Sequence, residues 1–197
     1  SMTEIIRGLG LDIMIDLKIH DIPETAAKEA EALMMLGVHY FTIHLSGTIA
    51  MVKAVSRVLD SHELWQEGII LGITVLTSID QKTFEEELKI TGSIRDHVLH
   101  LALLGKSCGI DGVVCSGEEV SAVRAACGDD FFIATPGIRF SSRIADDQKR
   151  VVTPYDAVYR GSNMVIMGRV LLDGGKKAAE VALDDIEKAL EAKKIPG

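Results

Sequence analysis

Two carboxylates and one lysine lie within six residues of each other near the start of the sequence. Asp16 and Lys18 are separated by a single residue, and Asp21 follows three positions later. Residues two apart in a β-strand project from the same face, so Asp16 and Lys18 are expected side by side. A lysine held by carboxylates remains a cation and can act as a general acid. The alternative is a structural salt bridge, although burying such charges is costly even when they are paired.

The pair is predicted to end a strand over residues 11–19. Ile13, Ile15, Leu17 and Ile19 alternate with more polar positions there. This pattern predicts one aliphatic face packed against helices and one face whose charges point toward a site. His20 is expected to position the turn that follows, where a helix begins near Pro23.

Five further short apolar runs follow, each predicted to be a strand joined to the next by helix. Strands are predicted at residues 11–19, 40–44, 68–75, 112–115, 131–134 and 163–167. Helices are predicted at residues 23–36, 49–59, 80–88, 93–106, 117–127, 155–160 and 176–193. Alternating strands and helices indicate an α/β fold with parallel pairing. An open doubly wound sheet and a closed barrel both fit six strand–helix units, and the one-sided first strand favours the barrel.

Composition narrows the class of function. The chain has 197 residues, a net charge of −8 and 47% hydrophobic residues, which predicts a single domain over residues 1–197. The negative charge disfavours nucleic acid and membrane surfaces as partners. No apolar run reaches the length of a membrane span, and no export leader is expected. Cys108, Cys115 and Cys127 lack metal-ligand spacing and are expected to be reduced, mostly buried thiols in the cytoplasm.

Residues 16–25, reading DLKIHDIPET, resemble the signature of the orotidine 5′-phosphate decarboxylase family. Further matches follow in the family's order: FTIH at residues 41–44, TVLTS at 74–78, TPGIR at 135–139, DQKR at 147–150 and the pair Gly168-Arg169. The resemblance therefore extends over nearly the whole chain. It implies a TIM (β/α)8-type barrel that converts orotidine 5′-monophosphate to UMP and CO₂ without metal or cofactor.

The resemblance also implies roles for individual residues. Lys18 would donate the proton, Asp16 would lie beside the substrate carboxylate, and Asp21 would hold the lysine and reach the ribose across a homodimer interface. The expected substrate-binding residues are Thr25 beside Asp21, Thr77 at the pyrimidine, Gln148, Gly168 and Arg169 at the phosphate, and Arg139 in a closing loop. His44 is expected to support the site or pack beside it.

The sequence departs from the family pattern at its beginning. Family members begin with two further strand–helix units, which carry an aspartate for the ribose and a second lysine, and neither residue has a counterpart here. Two alternatives follow. One is the related, metal-dependent 3-keto-L-gulonate 6-phosphate decarboxylase and hexulose phosphate synthase group. The other is a non-catalytic nucleotide-binding remnant.

Overall fold

A computed structural model describes residues 2–59, 68–140 and 152–194. Its strands are β1 (Met14–Ile19), β2 (Tyr40–His44), β3 (Ile69–Ile73), β4 (Gly112–Val114), β5 (Phe132–Thr135) and β6 (Met164–Val165). Its helices are α1 (Met2–Gly8), α2 (Pro23–Met35), α3 (Thr48–Leu59), α4 (Gln81–Glu86), α5 (Ile94–Ser107), α6 (Val120–Cys127), α7 (Pro154–Arg160) and α8 (Arg169–Lys194). The strands form a sheet in chain order, β1-β2-β3-β4-β5-β6. The α/β alternation predicted from the sequence is therefore confirmed.

The contacts divide the chain into two compact units. The first comprises Ser1–Thr74 and His100–Val113. In it, β1 pairs parallel with β2, and β2 pairs parallel with β3 from Tyr40 opposite Ile69 to His44 opposite Ile73. The fully enclosed side chains of this unit include those of Phe41, Ile43, Leu45, Met51, Val52, Val55, Ile70 and Leu71. This core fixes β2, the strand next to the predicted catalytic lysine.

The second unit comprises Val75–Leu99 and Val114–Gly197. Here β5 pairs parallel with β6, and Ile138 and Val152 form an isolated parallel bridge. Arg124 of α6 joins several backbone segments of this unit. Its guanidinium donates hydrogen bonds to the carbonyls of Gly128, Asp129, Phe131 and Gly161 and to the side-chain oxygen of Asn163. The prediction of a single domain over residues 1–197 stays a prediction.

Several predicted boundaries were wrong. Strand β1 begins at Met14 and not at residue 11, and β6 has two residues where five were expected. The terminal helix begins at Arg169 and not at 176, with a break at Gly175, whose φ of 55° and ψ of −147° are not helical. Helix α6 begins at Val120 and not at 117, and α1 was not predicted.

Leu17 was also misplaced by the alternation argument. Its side chain is 56% exposed, whereas Ile13 and Ile19 are buried as expected. Strand β1 is first in the order of the sheet, so only its β2 side carries a strand partner within the described residues. An aliphatic face is buried only where a neighbour covers it, and the pattern of one strand does not reveal that neighbour.

Candidate active site

The predicted catalytic pair forms a direct contact in the first unit. The Lys18 ammonium donates a hydrogen bond to Asp16 Oδ2, and the two groups form an ion pair. The Lys18 side chain is 36% exposed and that of Asp16 is 50% exposed. The pair is therefore accessible to a small molecule, and a buried salt bridge, the structural alternative, does not describe it.

A buried threonine on the neighbouring strand anchors both partners. Thr42 of β2 is 0% exposed. Its hydroxyl donates to Asp16 Oδ1 at 2.8 Å and accepts the backbone N–H of Lys18 at 2.9 Å. Together with the Lys18–Asp16 contact, these bonds form a closed cycle of three hydrogen bonds. Both carboxylate oxygens of Asp16 therefore accept a hydrogen bond. Thr42 lies in the FTIH segment but was not predicted as a site residue.

The backbone of β1 is irregular at this point. Ile15 pairs with Phe41 and Ile19 pairs with Ile43, so four steps along β1 correspond to two along β2. Lys18 has a φ of 57°, in the left-handed region that residues other than glycine seldom adopt. The strand therefore bulges, and the proximity of Asp16 and Lys18 does not arise from regular strand alternation. Bulges of this kind redirect side chains beside functional sites.

Two histidines lie beside the pair. The ring centroids of His20 and His44 are 5.2 Å apart. Partial burial lowers the pKa of His44, and the charges of His20 and Lys18 lower it further, while Asp16 opposes the shift. The His44 imidazole is thus biased toward its neutral form, which avoids placing a second cation next to the lysine. That His44 supports the site stays a prediction.

Asp21 and Thr25 follow β1 at the start of α2. The Asp21 carboxylate is exposed and accepts the backbone N–H of Ile22 at 2.6 Å. In the described part of the chain the Lys18 ammonium is bonded to Asp16, and no bond joins it to Asp21. Thr25 is half-buried in the first turn of α2. The structure therefore brings together Asp16 and Lys18 and places Asp21 and Thr25 nearby along the chain.

The other predicted residues that the structure describes belong to the second unit. Thr77 is half-buried in the turn between β3 and α4. Arg139 donates from its backbone to the Val152 carbonyl at 3.1 Å and from its guanidinium to the Ile138 carbonyl at 2.8 Å. Gly168 precedes α8 with open space where a Cβ would lie, and Arg169 is exposed at the first position of that helix. Gln148 lies outside the described residues.

The remaining expectations concern metals, thiols and membranes. In residues 2–59, 68–140 and 152–194, no three His, Cys, Asp or Glu side chains are placed to share a metal ion. Cys108, Cys115 and Cys127 are free and buried, as predicted. None of the described helices combines the length and apolar character needed to cross a membrane.

Comparison with known proteins gives consistent matches. The family model described as "Orotidine 5'-phosphate decarboxylase / HUMPS family" matches residues 1–183. The chain is 37% identical over 194 residues to orotidine 5'-phosphate decarboxylase of Heliobacterium modesticaldum. The aligned residues cover 97% of this chain and 79% of that protein. It is 40% identical over 169 residues to the protein of the same name from Nitrosococcus oceani, covering 86% and 72% of the two chains.

A solved structure agrees with these sequence matches. The crystal structure of orotidine 5'-phosphate decarboxylase from Lactobacillus acidophilus matches with a TM-score of 0.79 and 32% identity, over 93% of this chain and 79% of that one. The expected TIM (β/α)8-type α/β fold, with six strands in this chain, is thereby confirmed. The chain thus spans about three quarters of the length of these relatives.

Proposed function

The chain belongs to the orotidine 5'-phosphate decarboxylase / HUMPS family, and from this premise we propose that it converts orotidine 5′-monophosphate to UMP and CO₂ in pyrimidine biosynthesis. The observation that carries the proposal is the Lys18 ammonium held by Asp16 on the bulged end of β1. Active sites of parallel α/β barrels lie at this end of the strands. The pair is also partly exposed, so a substrate can reach it.

The chemistry requires a cation at a defined place. The bond between C6 of the pyrimidine and its carboxylate breaks, CO₂ leaves, and the electron pair stays on C6. A fixed ammonium beside C6 stabilises this developing negative charge. Lys18 then transfers one proton from Nζ to C6 and is reprotonated from solvent. Asp16 keeps the ammonium in place and lies beside the departing carboxylate. Repulsion between the two negative charges raises the free energy of the bound substrate.

Further residues are proposed to bind the rest of the nucleotide. Thr77 would contact the pyrimidine, and Gln148, Gly168 and Arg169 would bind the phosphate. The open space at Gly168 and the exposed guanidinium of Arg169 support this assignment, since an arginine fork matches phosphate geometry. Arg139 would act from the loop that closes over the ligand. Binding energy from the phosphate, remote from C6, then contributes to orienting the reacting groups.

The proposed assembly is a homodimer with shared active sites in the cytoplasm. Asp21 and Thr25 would reach the ribose in the partner's site. The exposed carboxylate of Asp21, which in its own chain accepts only the neighbouring Ile22 N–H among the described contacts, supports this role. Neither a metal nor an organic cofactor enters the proposed reaction.

The test is turnover of orotidine 5′-monophosphate by the chain and by its Lys18→Ala variant, measured as UMP formed, with and without EDTA. We expect unchanged turnover in EDTA and a loss of at least about 10²-fold in Lys18→Ala. Lys28→Ala, which removes an exposed lysine paired with Glu24 on α2, is the matched control and should retain activity. Turnover by Lys18→Ala close to that of the parent would refute the assigned role.

Two other results would favour the alternatives. Calorimetry with UMP that shows binding without turnover would favour a non-catalytic nucleotide-binding remnant. Turnover of 3-keto-L-gulonate 6-phosphate that stops on chelation would favour the metal-dependent group.

A further inference from the structure

Thr42 is a polar residue in an otherwise apolar part of the core. Its neighbours on β2, Phe41 and Ile43, are both 0% exposed, and so is Thr42 itself. A buried hydroxyl is tolerated when its hydrogen bonds are made, and a valine of the same shape would avoid that requirement altogether. The hydroxyl therefore requires an explanation, which its bonding partners provide.

The partners are the two groups that define the catalytic pair. A threonine hydroxyl offers one donor and two acceptor sites. Its donor binds Asp16 Oδ1 at 2.8 Å, and one acceptor site takes the Lys18 backbone N–H at 2.9 Å. The first bond limits rotation of the Asp16 carboxylate, whose other oxygen accepts the Lys18 ammonium. The second bond fixes the backbone of Lys18 in its left-handed conformation.

We propose that Thr42 is a positioning residue that sets the place of the Lys18 ammonium through Asp16 and through the backbone bulge. The proposal rests on the decarboxylase function proposed above. Thr42 is inferred not to touch the substrate, because its hydroxyl is enclosed and already bonded to both partners. Its loss should therefore lower the rate of the chemical step with little effect on substrate binding, since misplacement of a reacting group by about 1 Å can cost about 10²-fold.

The test compares Thr42→Val with Thr42→Ser. Valine keeps the shape and removes both hydrogen bonds, whereas serine keeps the hydroxyl and removes a methyl group. We expect Thr42→Val to lower kcat about 10- to 100-fold with KM within about threefold of the parent. Thr42→Ser, which retains the hydroxyl, should keep kcat within about threefold of that of the parent. Val55→Ala on α3, fully buried in the same unit, controls for loss of stability and should leave kcat per folded molecule unchanged.

A spectroscopic measurement tests the positioning without relying on turnover. The ¹H–¹³C resonance of the Lys18 ε-methylene group, assigned by its absence in Lys18→Arg, reports the surroundings of the ammonium. It should move in Thr42→Val and return toward the parent position in Thr42→Ser. Val55→Ala should leave it in place.

The outcomes separate the two proposals. No turnover by the parent chain would overturn the proposed function, while the Lys18 resonance would still decide whether Thr42 positions the ammonium. If the parent is active, a Thr42→Val variant with unchanged kcat and an unmoved resonance would overturn the role of Thr42 alone. A change in KM with constant kcat would also overturn it, because a positioning residue acts on the chemical step.

Discussion

The substitution Gly72→Ala tests how tightly the end of β2 is held. A Cβ built on Gly72 of β3 would lie 2.6 Å from Leu45 Cγ and 2.7 Å from each of its two methyl carbons. Leu45 directly follows His44 at the end of β2 and is 1% exposed. On another side, the Cβ position of Gly105 is 3.1 Å from Leu45 Cδ2. Leu45 is thus confined between two glycines, and an added methyl group has no free space.

The expected cost is about 2–3 kcal/mol, in the upper part of the range for overpacked cores, because three carbons of one side chain are affected. For a chain of this size the cost corresponds to a fall in Tm of about 5–10 °C. Thermal and urea unfolding followed by circular dichroism would measure it. Gly8→Ala is the control, since no heavy atom beyond its chain neighbours and its own helix backbone lies within 4 Å of its Cβ position. It should be neutral or mildly stabilising, because alanine favours helix.

A double-mutant cycle identifies the cause. Leu45→Ala alone should cost about 2–5 kcal/mol by opening a cavity. In that background Gly72→Ala should cost less than about 0.5 kcal/mol, because its methyl group enters the vacated space. Equal costs of Gly72→Ala in both backgrounds would refute the steric explanation, and so would a single variant as stable as the parent.

Substitutions at two further positions, His44 and Arg124, test other parts of the structure. Because the pKa of His44 is lowered, its share of the stability is complete above about pH 6.5 and is lost as pH falls through the folded-state pKa. Between about pH 7.5 and 5, the unfolding free energy of the parent should therefore fall more steeply than that of His44→Asn. Parallel curves for the two proteins would contradict this. Arg124→Met should cost about 2–4 kcal/mol in urea unfolding, because backbone carbonyls lose their charged donor. Arg124→Lys should recover little of this loss, since an ammonium does not span the same carbonyls, and full recovery would contradict it.

The predictions that held depend on local sequence. Strand β2 was predicted at residues 40–44 and is found at Tyr40–His44. Helix α2 begins at Pro23, whose fixed φ suits the first helical turn. Gly37, with a φ of 65°, follows its end in the conformation that glycine adopts most readily. Such signals act within a few residues and can be recognised without knowing what packs around them.

Two of the predictions that failed depend on contacts with residues distant in sequence. The exposure of Leu17 is decided by what lies beside β1, and nothing in the alternation of residues 13–19 indicates it. Strand β6 is short because its pairing with β5 covers only Ala134 to Met164 and Thr135 to Val165. The predicted terminal helix begins at residue 176, directly after Gly175, so the prediction did not include the break of α8 at this residue. For Leu17 and β6 the deciding partner is remote in sequence, whereas the break at Gly175 is a local feature of the backbone.

The contact between Asp16 and Lys18 was predicted for a reason that the structure revises. Regular alternation would place Asp16 and Lys18 on one face, but the bulge removes that regularity. The two side chains meet nonetheless, because Thr42, 24 residues beyond Lys18, binds the carboxylate of one and the backbone of the other. Spacing alone was therefore insufficient to position the ammonium. A threonine between two buried apolar residues, two positions before His44 on the same strand, was the available sequence signal. Its hydroxyl implied a polar partner across the sheet, and the charged end of β1 was the nearest candidate.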